Sequence, residues 1–413
     1  MYKAILVGAD LKNEGLIDYY MEELENLAKA RNVEVLYTIT QSIHRITPRF
    51  YVGKGKVEEI KTFAANLDAD TIIFNNELSG SQIRNLEAEI GVRVIDRTLL
   101  ILDIFASRAK TKEAMIQVEI AQLQYMLPRL AGLAESLSKQ QGGIGSRGPG
   151  EKKFELDRRR IVSERTRLIK ELEEVVKARK IQRKSRTKSN VKQVAIVGYT
   201  NAGKSTLLNG LMNFTQKEVD KQVFVKNMLF ATLETSTRKI TLKNNKEFIA
   251  TDTVGFVSNL PHHLVESFKS TLEEITEADL LIHVVDTSNS FYENQIEVTN
   301  NTLEDIGVKG IPMIYVYNKF DLLDEEIKPL HYPSLIVSLL ESEDVEKVID
   351  LIDNELFKEL EEVTLLIPFK EGELVSYFNE NNHIINQEYT NEGTMITLEL
   401  SQIQKAKYSN YII

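Results

Sequence analysis

The sequence predicts an α/β multidomain protein built around a phosphate-loop nucleotide-binding domain. Three observations predict it. The apolar run Val194–Gly198 leads directly into Gly198, Tyr199, Thr200, Asn201, Ala202, Gly203, Lys204 and Ser205, and then into a helix-like stretch. Strand and helix signals alternate through the first hundred residues and again from Val194 onward, the pattern of parallel or mixed sheets covered by helices. Between these two regions the apolar period lengthens to that of helices packed side by side.

In the first region Lys3–Gly8 and Val33–Thr40 read as strands around a helix-like Gly15–Arg31. Thr71–Asn75 and Val92–Ile95 are further strands, with a helical pattern at Ser81–Ile90. In the middle region Ile116, Ile120, Leu123, Leu127, Leu130, Ala134 and Leu137 form one helical seam. Pro128 lies inside it and is expected to kink or interrupt the helix. Phe154, Ile161, Leu168 and Val175 recur every seven residues as a second seam, with Leu172 between. The two seams are separated by Gly142, Gly143, Ile144, Gly145, Ser146, Arg147, Gly148, Pro149 and Gly150, five glycines in nine residues. No helix continues through such a run, so an antiparallel helical hairpin with this loop as its tip is expected. The boundaries follow: an N-terminal α/β domain at 1–110, the hairpin at 111–182, a basic linker at 183–192, a nucleotide-binding domain with a mainly parallel six-stranded sheet at 193–360, and a small α+β domain at 361–413. In the last, Thr364–Pro368 and Thr394–Leu400 read as strands.

Composition narrows the function classes. There are no cysteines among 413 residues, which removes disulfides and cysteine-ligated zinc. No run approaches the roughly 20 apolar residues that span a bilayer, and Met1–Gly8 lacks the features of a secretory signal. A cytoplasmic monomer is expected. The net charge of −10 conceals an asymmetry: residues 139–192 carry 18 Lys or Arg against 7 Asp or Glu, a net of +11. Such a concentrated basic segment fits either a solvated helix face or a local contact with a polyanion.

The phosphate loop stands in the context its chemistry needs, strand before and helix after. Its glycines and the N-terminal end of the helix, starting at Lys204, Ser205 and Thr206, turn N–H groups toward phosphate. Lys204 is expected on the β- and γ-phosphate oxygens and Ser205 on Mg²⁺. Three further elements follow in order. Thr232, within Phe230, Ala231, Thr232, Leu233 and Glu234, is placed where a mobile segment folds over Mg²⁺, with Thr235 and Thr237 as alternatives. Asp252, Thr253, Val254 and Gly255 supply a carboxylate that holds Mg²⁺ through water and an N–H that senses the γ-phosphate. Asn318, Lys319, Phe320 and Asp321 supply a carboxylate that accepts from both N–H donors of guanine. Adenine lacks those donors and would leave the carboxylate unpaired, so GTP is expected over ATP.

Other stretches resemble one family. Tyr51–Glu59 (YVGKGKVEE), Arg108–Ala114 (RAKTKEA), Gln117–Leu123 (QVEIAQL), Leu127–Leu130 (LPRL) and Gly142–Glu151 (GGIGSRGPGE) leading to Asp157–Arg159 (DRR) resemble the HflX family of ribosome-associated GTPases over about residues 1–360. The resemblance implies GTP-dependent binding to the large ribosomal subunit and its rRNA. It further implies splitting or rescue of stalled or dormant ribosomes under stress, with Gly142–Gly150 and Arg158, Arg159 and Arg160 as ribosome contacts.

Several positions depart from common nucleotide-site patterns. Phe256 stands where many GTPases carry a water-orienting glutamine, so no catalytic side chain is assigned and unassisted hydrolysis is expected to be slow. Ser338, Leu339 and Leu340 occupy the base-proximal position usually read as Ser-Ala, and the larger Leu339 leaves the base contact open. Asn201 is either a potassium ligand, as in several related GTPases, or an amide that stabilises the loop. His262 and His263 are read as surface or switch residues in preference to metal ligands, and Gly53–Lys56 as a basic turn in preference to a phosphate contact. Two rivals remain: an ATP-driven RNA remodelling activity in the N-terminal region, and a signalling GTPase with a non-ribosomal partner.

Overall fold

The structure, a computed structural model, describes residues 2–11, 15–139, 149–186, 191–214, 229–230, 236–261, 274–323 and 327–413, without the side chains of 131–139, 149–154 and 179–186. The chain forms two compact units. The first takes Met1–Arg186, Lys226–Glu234 and Val254–Leu272, and the second Thr187–Val225, Thr235–Thr253 and Glu273–Ile413.

The first unit runs β1 (Tyr2–Asp10), α1 (Ile17–Ala30), β2 (Val33–Ser42), α2 (Lys54–Leu67), β3 (Thr71–Phe74), α3 (Gly80–Ile90), β4 (Arg93–Asp96), α4 (Arg97–Arg108), α5 (Lys112–Lys139) and α6 (Pro149–Arg186). Its sheet is parallel throughout, in the order β2-β1-β3-β4. Ala4 to Ala9 are all buried, which is why β1 reads as a continuous apolar run and not as an alternation. Ser79 and Gln82 close a reciprocal capping box at the start of α3. Gly53–Lys56 is not a basic turn: Gly53 is the N-cap of α2, and Lys56 pairs with Glu59 at 2.7 Å.

Helices α5 and α6 pack through Ile116, Ile120 and Leu168, with Leu123, Leu172 and Val175 against them. Lys112 and Glu171 pair at 2.7 Å. Pro128 does not interrupt α5, which runs through it. The Arg129 guanidinium donates to Tyr125 O, one turn back along α5, at 2.9 Å. Arg129 also stacks on the Tyr125 ring, 3.3 Å from its centroid. Burial, reinforced by Asp96, pushes the Tyr125 phenol above its ordinary range, so it remains a donor.

The second unit runs β5 (Lys192–Gly198), α7 (Lys204–Asn213), β6 (Ser236–Thr241), β7 (Glu247–Asp252), β8 (Leu280–Asp286), α8 (Tyr292–Asp305), β9 (Met313–Asn318), β10 (Ser334–Ile336), α9 (Ser342–Leu356), β11 (Glu361–Ile367), α10 (Gly372–Asn381), β12 (Ile384–Tyr389), β13 (Thr394–Leu400) and α11 (Gln402–Lys407). Its six-stranded sheet has the order β10-β9-β8-β5-β7-β6, and only β6 runs antiparallel. Strand β5 lies where the chain switches direction across the sheet, and the loop after its carboxyl end occupies the usual ligand crevice of such sheets. Leu207, Leu208 and Leu211 of α7 pack with Val194, Ile196, Phe248 and Ile282 in the core beneath that loop. Strands β11, β13 and β12 make a separate antiparallel sheet around Leu365, Phe378 and Leu398.

Gly80 permits a close approach in the first unit: a Cβ there would lie 2.6 Å from Arg129 O and 2.7 Å from its Cα. Gly55, inside α2, would meet nothing within 4 Å. Gly80→Ala should therefore destabilise the first unit by about 1–3 kcal/mol. Gly55→Ala should stabilise it by about 0.5–1 kcal/mol through helix propensity. Thermal or urea melts of the two variants check the opposite signs.

Candidate nucleotide site

The site is assembled at the carboxyl ends of β5, β7 and β9. Gly198 closes β5 with φ 142°, and a Cβ would sit 2.3 Å from Val284 O. Gly203 takes φ 108°, and its Cβ would fall 2.2 Å from the Asn318 Nδ2. Both positions demand glycine. Between them Tyr199, Thr200 and Ala202 are buried, whereas Asn201 is exposed in the left-handed region at φ 64°.

Lys204, the first residue of α7, is 7% exposed. Its ammonium donates to the carbonyls of Gly198 at 3.1 Å and Tyr199 at 2.6 Å. Burial lowers its pKa to about 8, against the opposing pull of Asp252. Desolvation on this scale is relieved by an anion, so the ammonium is matched to phosphate. The next residue, Ser205, donates its hydroxyl to Asp252 Oδ2 at 2.6 Å. Hydroxyl and carboxylate oxygens together are the hard donors that Mg²⁺ selects, and this ion binds through one or two protein groups plus substrate phosphates and water. Among the described residues no group of three or more His, Asp or Glu could hold a metal unaided. Thr253, fully buried, anchors the following turn by donating to Ile196 O at 2.7 Å.

Asn318 joins the phosphate loop to the segment after β10. Its Nδ2 donates to Ala202 O at 2.8 Å, and its Oδ1 accepts from Leu339 N at 3.0 Å. Its own carbonyl accepts from the Thr287 N–H and hydroxyl. Lys319 takes a left-handed φ of 66° and pairs with Asp286 at 2.5 Å. Asp321 is exposed, as is Phe320 at the mouth of the same turn. Ser338 is held through its N–H by Asp344 at 2.8 Å. The large side chain of Leu339 is buried in the sheet core, and Leu340 is exposed. The leucine at 339 is thus accommodated by the core while its main chain bonds Asn318. Sequence reasoning missed His283, buried in β8 beside this layer. Burial first, then Lys204 and His331, lower its pKa to about 3 and keep it neutral.

In the first unit, Val254 to Ser258 are buried and Phe256 is 4% exposed. The Phe230 ring meets Phe105 edge-on at 4.7 Å. Ala231, Thr232, Leu233, Glu234, Thr235, His262, His263 and the tip residues Gly142–Gly148 lie outside the described residues. Arg158, Arg159 and Arg160 are exposed on α6. A cavity of about 530 Å³ adjoins the carboxyl ends of β1 and β3, bordered by Asp10, Tyr20, Tyr51, Asn75 and Asn259. It has no glycine-rich phosphate loop.

The chain is 45% identical over 394 residues to GTPase HflX of Caldanaerobacter subterraneus subsp. tengcongensis, covering 95% of this chain and 90% of that protein. The chain belongs to the HflX family of GTPases. GTPase HflX of Escherichia coli (strain K12) is 39% identical over 389 residues, covering 92% and 89%. Three family descriptions match successive parts of the chain: "GTP-binding GTPase N-terminal" at 18–106, "GTP-binding GTPase Middle Region" at 108–186 and "50S ribosome-binding GTPase" at 193–319. A crystal structure of a GTP-binding protein from Sulfolobus solfataricus in complex with GDP aligns at TM-score 0.45 and 25% identity, covering 87% of this chain and 99% of that one. As a member of the HflX family, the chain is a GTPase. No helix of the described residues is long and apolar enough to cross a membrane.

Asn318→Ala removes the partners of two buried main-chain groups, Ala202 O and Leu339 N. Leaving both unsatisfied should cost about 2 kcal/mol or more and weaken GDP binding at least tenfold. Denaturant melts and a GDP titration of the same sample check both.

Proposed function

We propose that this GTPase binds the large ribosomal subunit in its GTP form and separates stalled or dormant ribosomes under stress, acting in the cytoplasm as a monomer. The observation that carries this reading is the concentrated +11 charge at 139–192, with Arg158, Arg159 and Arg160 exposed along α6. Dense positive charge on a long helix fits the phosphates of rRNA. The description of residues 193–319 as a ribosome-binding GTPase supports the same partner. Helices α5 and α6 act as an antiparallel hairpin, with Gly142–Gly150 as the tip that enters a confined RNA site. The division into 1–110, 111–182, 193–360 and 361–413 is the functional one.

Within the nucleotide site, Lys204 holds the β- and γ-phosphate oxygens, and the main chain of residues 198–206 surrounds them. Ser205, Asp252 through water, and Thr232 hold Mg²⁺, which supplies neutralisation of phosphate charge when bound. Thr232 and Gly255 meet the γ-phosphate, so their two segments order with GTP and relax after hydrolysis. Asp321 reads the guanine edge, beside Ser338 and Leu339. Phe256 offers no hydrogen bond to the attacking water, so hydrolysis depends on help from the ribosome or from a cation at Asn201.

Asp321→Asn should exchange guanine preference for xanthine, because xanthine offers an acceptor where guanine offers a donor. Competition binding with GTP, XTP and ATP reads this out, and an unchanged GTP preference sinks the assignment.

Single-turnover hydrolysis should be slow for the free protein and at least tenfold faster with large subunits. Equal rates would remove the ribosome as activator. Repeating the assay in sodium and potassium separates the two roles of Asn201: a potassium effect that survives in Asn201→Ala excludes that residue as the cation ligand.

A further inference from the structure

Strand β4 ends on Asp96 and helix α4 begins on Arg97, and these consecutive buried residues serve different neighbours. The Asp96 carboxylate accepts four hydrogen bonds. Leu99 N at 3.0 Å makes it the N-cap of α4, and Leu78 N adds a second bond at 3.1 Å. The other two come from α5: Tyr125 OH at 2.9 Å and Arg129 Nη2 at 2.8 Å. Arg129 also donates to Leu78 O at 2.9 Å, and Gly80 lies directly against its main chain. The first half of α5 is thereby fixed to the β4–α4 junction.

Arg97 faces the segment that follows Gly255. Its guanidinium donates to Asn75 Oδ1 at 3.0 Å, to Glu23 at 2.5 Å and to Ser258 O at 2.9 Å. Glu23 in turn accepts from Ser258 N at 3.3 Å. Both main-chain groups of Ser258, three residues beyond Gly255, are held by one buried ion pair. Further along α4, Phe105 packs on Phe230, two residues before Thr232. Helix α4 therefore touches both segments assigned to γ-phosphate sensing and carries, at its first turn, the anchor of α5.

We infer that Asp96 and Arg97 form a relay that passes the position of the 254–258 segment to helix α5, so that the α5–α6 pair responds to the bound nucleotide. The inference rests on the proposed role of Gly255 as the γ-phosphate sensor. Its physical basis is stiffness. A planar guanidinium shared among three acceptors tolerates little displacement, and leaving a buried charge without its partner is strongly unfavourable. A shift of Ser258 must therefore move the Arg97 end of α4, and Asp96, bonded to the α4 N-terminus and to α5, moves with it. Tyr125 and Arg129 are positioning residues in this scheme.

Hydrogen exchange of the full chain tests the relay without ribosomes, comparing GDP with a non-hydrolysable GTP analogue. The wild type should show a nucleotide-dependent change over 112–130 as well as over 194–205. Tyr125→Phe removes only the phenol donor to Asp96, and Arg129→Lys loses the guanidinium fork. Each should reduce the change over 112–130 at least twofold, leaving GDP affinity and the change over 194–205 as in the wild type. Glu23→Gln, from the other end, should do the same. Melting curves of all three variants establish that the fold is intact, with Tyr125→Phe as the mildest. A wild type that changes over 194–205 but not over 112–130 overturns the relay and leaves the nucleotide site standing. So does an undiminished change over 112–130 in folded Tyr125→Phe and Glu23→Gln. No change over 194–205 would count against the nucleotide site and take the relay with it.

Discussion

The carboxamide of Asn318 is the constraint on which the nucleotide site depends. Its two ends are committed to main chain of two separate loops, at Ala202 in the phosphate loop and at Leu339 after β10. Neither loop has a regular ladder to hold it. A side chain that carries a donor and an acceptor in one rigid plane can tie them together; an aspartate or leucine of similar size cannot. Gly203 is part of the same constraint, because a Cβ there would fall 2.2 Å from the Asn318 nitrogen. Position 339 can then be large, since its contribution to the site is a backbone N–H.

Electrostatics follow from this packing. Holding Lys204 under the loop desolvates its ammonium and lowers its pKa to about 8, while His283 in the adjacent strand is driven neutral. Lys204 is therefore a buried cation that gains from phosphate, with a neutral imidazole and not an imidazolium in the neighbouring strand. Ser205 and Asp252, 2.6 Å apart, bring together the hard oxygen donors that Mg²⁺ favours.

Much of this was legible in the sequence, for identifiable reasons. Strands β1 and β5 are buried on both faces and announce themselves as apolar runs, and the phosphate loop is read from residues contiguous in the chain. Strand β12 was not legible: it is an edge strand, and Asn386, Gln387 and Glu388 within it show no apolar alternation. Helix α2 was hidden by the Gly-Lys-Gly start that read as a turn. Pro128 was seen, but that α5 continues through it was not. The contact of Glu23 with Ser258 spans 235 positions, and no local pattern marks either residue. Arg129 lay inside a recognisable motif, yet its bond to Asp96 could be known only once β4 and α5 were brought together.

The central claim is that bound nucleotide decides whether this protein engages the ribosome. The most direct measurement is co-sedimentation with purified large subunits across a salt series, loaded with a non-hydrolysable GTP analogue or with GDP. The account predicts binding at least about tenfold tighter with the analogue, within the usual range of such couplings, and weakening steeply with salt as expected for phosphate contacts. Equal affinity in the two nucleotide states would contradict it.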